Sequence, residues 1–254
     1  VVIVTGGARG IGKTYAKGIA AEGAKVVVSD ISDGEKVSEE IRAAGGDSIY
    51  VQCDVSHSQS CETLSRTVHN QYGQIDGLVN NAALYADLQY VPFDQIEEEE
   101  WDRVFAVNVK GVWLMTKAVY PYMRTGGLSE KSGQSTGKIV NIASGTPFKG
   151  TPKTPHYVVS KGAVVTMTRV MARTLGEEGI NVNCVAPGLT LSESVMKVRA
   201  DVIEDEDAKQ VRTRAIPRSQ VPEDLLGAII FFLSDGADFI TGQTLPVDGG
   251  SHMS

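Results

Sequence analysis

The amino-acid sequence predicts an α/β fold in which one mostly parallel, seven-stranded sheet is covered by helices on both faces. Short apolar runs alternate with longer stretches of helical periodicity along almost the whole chain. The apolar runs are rich in Val and Ile on both faces, as in parallel strands buried between two helical layers. No repeat or linker divides the 254 residues. We therefore expect one doubly wound Rossmann domain over residues 1–254.

The predicted elements alternate in order along the chain. Strands are expected at residues 1–5, 25–30, 49–53, 75–80, 138–143, 180–185 and 244–247. Helices are expected at residues 11–22, 34–44, 58–72, 95–124, 156–177 and 222–234. Three segments interrupt this order: a Gly- and Ser-rich exposed loop at 125–136, a proline-rich segment at 145–155, and an acidic helical stretch at 189–214. The last segment follows a Pro-Gly pair at the edge of the sheet, which makes it a candidate lid.

Charge and composition argue against several classes of function. The formal net charge is −7 and the isoelectric point is about 5.2, whereas nucleic-acid binding depends on Lys and Arg meeting phosphates. No apolar run reaches the ~18 residues of a membrane span, and no secretory signal precedes the first strand. Cys53, Cys61 and Cys184 are odd in number and lack metal-ligand spacing. We expect a cytoplasmic protein with free thiols and with no metal, nucleic-acid or membrane partner.

The first predicted strand runs into a glycine-rich turn, from Thr5 to Gly12, and then into a helix. Glycine permits positive φ and close backbone approach, and a helix N-terminus offers free N–H groups to a pyrophosphate. The spacing is G-x-x-x-G-x-G rather than the commoner G-x-G-x-x-G. In this strand–turn–helix context we favour a dinucleotide site over an empty turn. The residues expected to contact the cofactor here are Gly6, Arg9, Gly10, Ile11 and Gly12.

Two charged residues bear on the choice of cofactor. Asp30 ends the second strand, eighteen residues after Gly12. An acid at this point accepts hydrogen bonds from the ribose hydroxyls and repels a 2′-phosphate, which favours NAD over NADP. Arg9 favours the opposite, because a basic residue in the turn is able to meet a 2′-phosphate. Since Ile31 and not a basic residue follows Asp30, the sequence predicts NAD, and both Asp30 and Ile31 are expected to contact it.

Further contacts are expected where the third and fourth strands end. Asp54 follows the third strand and is placed to accept from the adenine amino group, with Val55 against the ring. At the end of the fourth strand, Asn80 and Ala82 leave room for the cofactor. An Asn at this position serves equally well as a structural tie between strand ends.

Tyr157 and Lys161 are four residues apart in a predicted helix, and Ser144 lies thirteen residues upstream. Residues i and i+4 share one helix face. A nearby ammonium group favours a phenolate and lowers the pKa of a phenol from its usual value near ~10. The Ser144 hydroxyl is able to hydrogen-bond the oxygen whose proton moves. The three groups together predict acid–base chemistry on an alcohol or a carbonyl, although a solvated helix face also carries such pairs.

These motifs together resemble the short-chain dehydrogenase/reductase family in its compact single-domain branch. The turn Thr5–Gly12 matches the family's T-G-x-x-x-G-x-G, residues 80–83 match its N-N-A-G, and Pro187-Gly188 matches its P-G turn. The resemblance implies that Asn108, Ser144, Tyr157 and Lys161 form a catalytic tetrad. Tyr157 would then be the general acid/base, and Lys161 would lower its pKa and hold the nicotinamide ribose. Ser144 would orient the substrate, and Asn108 would kink its helix and hold a water.

The resemblance also extends the site at its nicotinamide end. Pro187 and Gly188 would lie under the nicotinamide. Either Thr190 or Ser192 would contact the carboxamide, because a Ser stands where the family often has a Thr. Ala83 replaces the usual glycine of N-N-A-G.

The resemblance implies an NAD-dependent oxidoreductase acting on a secondary alcohol or ketone. Ser144, Thr146, Tyr157 and Leu189 are expected to contact the substrate in a mostly apolar pocket. His156, beside Tyr157, is either a polar contact or a solvent-facing residue. One alternative is an NADP-dependent 3-oxoacyl-carrier-protein reductase. Asp30 disfavours it, and so does Glu178, because such reductases tend to carry a basic residue at the position of Glu178.

A second alternative is a cofactor-binding regulator without catalysis, which commonly loses the Tyr or the Lys. Both residues are present in this chain. By resemblance we further expect a homotetramer or homodimer paired through the two long helices.

Overall fold

The computed structural model describes residues 1–123 and 136–253. Seven strands form one sheet in the order β3-β2-β1-β4-β5-β6-β7, and every neighbouring pair is parallel. The strands are β1 (Val2–Thr5), β2 (Val26–Asp30), β3 (Ser48–Gln52), β4 (Gly77–Asn80), β5 (Gly137–Ile142), β6 (Ile180–Pro187) and β7 (Thr244–Val247). The predicted Rossmann fold is therefore confirmed, with each strand within a few residues of its predicted place.

Helices cover both faces of the sheet. They are α1 (Gly10–Ala21), α2 (Glu35–Ala43), α3 (Ser58–Tyr72), α4 (Glu98–Phe105), α5 (Gly111–Met123), α6 (Thr146–Lys149), α7 (Pro155–Leu175), α8 (Glu193–Val198), α9 (Ile203–Val211) and α10 (Leu226–Leu233). Side chains alternate along each strand. In β1, Ile3 packs into the core cluster shared with α3 and α5, while Val2 and Val4 pack into the opposite cluster with α1 and α10.

The long helix predicted over residues 95–124 is not continuous. Between α4 and α5, the segment Ala106–Lys110 forms a π-helical turn. Asn108 lies at the middle of this turn and is fully buried. The irregularity expected at Asn108 is therefore present, and it takes the form of one wider turn.

Two further segments differ from the sequence-based expectation or fall outside the structure. The proline-rich segment at 145–155 contains the short helix α6, with Pro147 near its start. The loop predicted at 125–136 lies outside the described residues except for Thr136. Among the residues that the structure describes, no helix has both the length and the apolar character needed to span a membrane.

The sheet order reverses between β1 and β4, which is the point where such folds bind their ligands. Hydrogen bonds tie the two strand ends together here. The Thr5 hydroxyl accepts from the backbone N–H groups of Asn81 (3.0 Å) and Ala82 (3.1 Å) and donates to Val79 O (3.2 Å). The carboxyl ends of β1 and β4 thus form one fixed edge, and the glycine-rich turn leaves from it.

Candidate active site

The glycine-rich turn has a backbone that side chains would block. Gly6 and Gly10 have φ of 65° and 57°, a region that favours glycine. A Cβ at Gly12 would lie 2.1 Å from Gly6 O and 2.5 Å from Asn81 Nδ2. The turn therefore requires glycine at these positions, and it presents the N-terminus of α1 to an open cleft.

This cleft has a volume of about 440 Å³ and adjoins the turn. It has the features that a dinucleotide needs: a glycine cradle, a helix N-terminus and an acid at the end of β2. The predicted cofactor residues that line it are Gly6, Arg9, Gly10, Ile11, Gly12, Asp30, Ile31, Asp54, Val55, Ala82 and Ser192. The residues present therefore fit a nicotinamide dinucleotide.

Asp30 is 8% exposed and is held by two backbone N–H groups. Its Oδ2 accepts from Ala8 N at 3.1 Å, and its Oδ1 accepts from Ser32 N at 3.0 Å. Each carboxylate oxygen keeps acceptor capacity for a ribose hydroxyl. Arg9 is exposed on the same cleft, and its guanidinium makes no hydrogen bond or ion pair with the described residues. Both groups that bear on cofactor choice are thus placed in the cleft.

Asn80 does not line the cleft, contrary to the prediction. Its side-chain nitrogen donates to Asn141 Oδ1 at 2.9 Å and to Thr116 Oγ1 at 3.3 Å, inside the protein. The structural tie considered for this residue is the one observed. The next residue, Asn81, lines the cleft instead and donates to Thr5 O and Gly6 O. Because side chains alternate along a strand, the two neighbours face opposite ways.

Ser144, Tyr157 and Lys161 converge on a second cavity of about 380 Å³ that borders the cleft. Tyr157 and Lys161 come from α7, and Ser144 follows β5. The Ser144 hydroxyl lies close enough to the Tyr157 phenol to lower its pKa, and it accepts a hydrogen bond from Thr146 Oγ1 at 3.1 Å. The Lys161 ammonium lies 5.9 Å from the centre of the Tyr157 ring and donates to Ile142 O at 2.7 Å. The three predicted groups therefore share one site.

Burial, rather than the lysine, dominates the electrostatics of this site. It raises the pKa of Tyr157, with a smaller contribution from the neighbouring Tyr85, while the hydrogen bond from Ser144 opposes the rise. Burial also lowers the pKa of Lys161 to about 8. The direction for Tyr157 is opposite to the predicted one, because Lys161 is itself buried and its ammonium is directed at a carbonyl.

The fourth predicted group, Asn108, is committed to protein contacts. Its Oδ1 accepts from Leu84 N at 2.8 Å, and its Nδ2 donates to Leu84 O at 3.2 Å and to Ser160 Oγ at 3.1 Å. Asn108 thus joins the π-turn to α7 and to the segment after β4. These contacts fix the position of Leu84 and hence of Tyr85, whose ring centre lies 4.7 Å from that of Tyr157 with the two planes tilted by 37°.

The candidate lid supplies the far side of both cavities. Pro187, Gly188, Leu189 and Thr190 line the Tyr157 cavity, as does Thr146. Ser192 lines the cofactor cleft, and its hydroxyl caps α8 by accepting from Val195 N at 3.4 Å. Thr190 Oγ1 donates to Gly188 O at 3.1 Å. The two hydroxyls considered for the carboxamide contact are therefore on different cavities.

In and around the site, the sequence-based interpretation was wrong for one residue and did not include a group of charged residues. His156 is fully buried, lines neither cavity, and lies with its Nε2 3.1 Å from Glu100 Oε1, so both roles considered for it are wrong. The lining of the Tyr157 cavity is mostly apolar, as expected, but it also has a charged rim formed by Lys149, Lys153, Glu206 and Lys209. The acidic pattern of the lid was visible in the sequence, but its approach to α6 was not.

The chain matches a family model described as enoyl-(acyl carrier protein) reductase over residues 6–252. The chain belongs to the short-chain dehydrogenase/reductase family. This assigns the protein as an oxidoreductase that acts on CH–OH groups with a nicotinamide cofactor.

Characterised relatives have different substrates. The chain is 36% identical to 3-oxoacyl-(acyl-carrier-protein) reductase of Staphylococcus aureus strain Mu50, over 99% of this chain and 97% of the relative. It is also 36% identical to galactitol 2-dehydrogenase of Agrobacterium fabrum, over 100% and 98%. A gluconate 5-dehydrogenase of Burkholderia cenocepacia, solved with NADP and tartrate, is 30% identical, with a TM-score of 0.88 over 98% of this chain and 94% of that one.

Proposed function

We propose that the protein is an NAD-dependent oxidoreductase that interconverts a secondary alcohol and a ketone, with Tyr157 as the general acid/base. The observation that carries the proposal is the convergence of Ser144, Tyr157 and Lys161 on one cavity that opens into the glycine-lined cleft. When bound, the nicotinamide supplies the acceptor or donor of the hydride.

Each side chain has a separate task in this mechanism. In oxidation, the Tyr157 oxygen takes the proton of the substrate hydroxyl as the C–H hydride leaves; in reduction it returns that proton to the carbonyl oxygen. The Ser144 hydroxyl orients the substrate oxygen. Lys161 holds a positive charge near the phenol and meets the nicotinamide ribose. Because burial raises the pKa of Tyr157, the phenolate needs such positive charge to form near neutral pH.

The test replaces Tyr157 by Phe and follows NADH at 340 nm with a panel of secondary alcohols, galactitol and gluconate. Loss of the phenol should lower kcat by roughly 10²–10⁴-fold, the usual contribution of a general acid/base. Binding of NADH, measured by its fluorescence, should persist. Tyr72→Phe is the matched control, because Tyr72 hydrogen-bonds Asp47 outside the site. Parental kcat in Tyr157→Phe would refute the mechanism.

A second candidate function is NADP-dependent reduction of a 3-oxoacyl carrier-protein thioester. It is favoured by the Staphylococcus relative, by the NADP bound to the solved dehydrogenase, and by the unpaired Arg9 at the cleft. Asp30 and Glu178 oppose it. NADPH oxidation with a 3-oxoacyl thioester, faster than any alcohol reaction with NAD, would establish this alternative.

We also propose a cytoplasmic homotetramer or homodimer. A third function, that of a regulator that binds the cofactor without catalysis, conflicts with the retained Ser144, Tyr157 and Lys161. Cofactor binding with no turnover of any substrate in the panel would support the regulator.

A further inference from the structure

The cavity in front of Tyr157 has more positive than negative charge on its lining, although the whole chain carries −7. Its lining includes the rim residues Lys149, Lys153 and Lys209 and a single carboxylate, Glu206. Lys149 ends α6, whereas Lys209 and Glu206 lie on α9 of the candidate lid. The positive charge therefore comes from two elements that face each other across the mouth.

The carboxylate at the rim is already neutralised. Glu206 Oε1 lies 2.8 Å from Lys153 Nζ, and its Oε2 lies 3.5 Å from an Arg199 nitrogen. Neither Lys149 nor Lys209 forms an ion pair within residues 1–123 and 136–253. Two cations thus remain at the mouth without an ion-pair partner among the described residues.

Lys149 has only uncharged partners. Its ammonium donates to Gln210 Oε1 at 3.3 Å and to Ser251 Oγ at 2.5 Å. Burial lowers the pKa of Lys149; the charge of Asp248 opposes this and that of Arg214 adds to it. The charged form is thus less favoured here than in water, and an anion beside it would reverse that penalty.

The position of Lys149 relates it to the reacting atoms. Ser144 is followed directly by α6, so one turn of helix separates the residue that orients the substrate from the cation at the rim. Thr146 and Lys149 are three residues apart and share a helix face, with about 5–6 Å between their Cβ atoms. A substrate that reacts at Tyr157 and is several bonds long would reach Lys149.

We propose that Lys149, with Lys209, determines specificity by binding an anionic group of the substrate. The alcohol or ketone would then carry a carboxylate or phosphate several bonds from the carbon that reacts at Tyr157. This inference rests on the proposed function, since it names the substrate class of the same cavity. A small acid is favoured over an acidic carrier protein because these lysines line the cavity itself.

The test compares three polyols that differ only at C1: D-gluconate (carboxylate), D-glucitol 1-phosphate (phosphate) and D-glucitol (neutral). In the parent, the better anion should exceed D-glucitol in kcat/KM by about 10-fold or more, as expected for a hydrogen bond to a charged group. Lys149→Gln should remove most of this advantage through KM. The advantage of the parent should also shrink at high salt. The anion with the higher kcat/KM shows whether the preferred group is a carboxylate or a phosphate.

Lys197→Gln is the matched control, because it makes the same charge change on the lid outside the cavity. It should leave the preference unchanged. Equal losses for the anions and D-glucitol in Lys149→Gln would overturn the proposal, as would a parent that prefers D-glucitol. So would a loss in Lys149→Gln that is confined to a carrier-protein thioester.

A separate binding arm distinguishes failure of this inference from failure of the proposed function. If the parent oxidises none of the three polyols, the proposed function fails on this panel. The complex with NADH is then titrated with each anion and followed by NADH fluorescence. Saturable binding that Lys149→Gln weakens about 10-fold supports the anion site. No anion binding to the parent overturns it.

Discussion

At the scale of single residues, the site combines a tyrosine and a lysine that burial drives toward their neutral forms. Tyr157 is 7% exposed and Lys161 is 3% exposed. Burial raises the pKa of Tyr157 and lowers that of Lys161 to about 8. The charged form of either group is therefore unfavourable at the place where proton transfer is proposed. Binding of a cofactor and a substrate is expected to reduce this cost.

The buried Lys161 predicts a pH dependence of stability. Its pKa is about 8 in the folded protein and 10.5 in its ordinary state, so the unfolded chain binds more protons between these values. The contribution of Lys161 to the free energy of unfolding should therefore rise with pH through this window, by about 2 kcal/mol between pH 7.5 and 9.5. Urea unfolding of the parent and of Lys161→Met measures this difference. If both proteins show the same pH slope, Lys161 does not carry the effect.

Cofactor choice is predicted to depend on Asp30 and Arg9. Asp30→Ala should narrow the preference for NAD by removing the ribose contact and the repulsion of a 2′-phosphate. Arg9→Ala should weaken NADP selectively, because Arg9 is the free cation at the cleft among the described residues. The ratio of kcat/KM for NAD and NADP measures both effects. An unchanged ratio in Asp30→Ala would show that the carboxylate does not reach the ribose.

At the scale of elements, the sequence predicted correctly the features that depend only on neighbouring residues. The strand–glycine–helix unit at Thr5–Gly12 depends on the residue types themselves, and it folds as expected. The positions of Asn80 and His156 depend on which way one side chain points at the end of an element, and the sequence left two interpretations open for each of them. Lys149 and Lys209 line one cavity only because the tertiary fold brings α6 and α9 to the same mouth, which no spacing in the sequence reveals.

Asn108 in the π-turn is predicted to stabilise the packing of this turn against α7 and against the segment after β4. Asn108→Leu removes the hydrogen bonds to Leu84 and Ser160 and leaves the backbone N–H and C=O of Leu84 unpaired. The expected loss is about 3 kcal/mol of unfolding free energy, since each buried unpaired group costs roughly 1–3 kcal/mol. Urea unfolding measures it. Ser160→Ala, which removes one of these bonds, should cost about 1 kcal/mol. Equal losses of unfolding free energy in Asn108→Leu and Ser160→Ala would contradict this role of Asn108.

At the scale of the whole molecule, apolar side chains remain on the outside of the two long helices. Trp113 on α5 is 48% exposed, and Val159 and Val170 on α7 are 50% and 60% exposed. At the other end of the molecule, β7 is an edge strand with Leu245 exposed. Exposed apolar helix faces and open sheet edges favour association with further copies of the chain.

Sedimentation velocity at micromolar protein should therefore give a mass of two or four chains. Val170→Asp should shift the distribution toward smaller species, because a carboxylate in an apolar interface loses its hydration. Val202→Asp, on the candidate lid, is the control for the added charge and should sediment as the parent does. A monomeric parent would remove the basis for the homotetramer.

The π-turn at Ala106–Lys110 has a consequence for comparing this chain with others. A wide turn holds one more residue than an α-helical turn, which shifts the angular phase of the helix by about 100°. The buried positions of α4 and α5 are therefore out of step in the sequence. Removing one residue here would restore ideal periodicity and turn one set of these positions toward solvent. Insertions and deletions should consequently be tolerated less at this turn than in the surrounding helices, even though a regular helix would result.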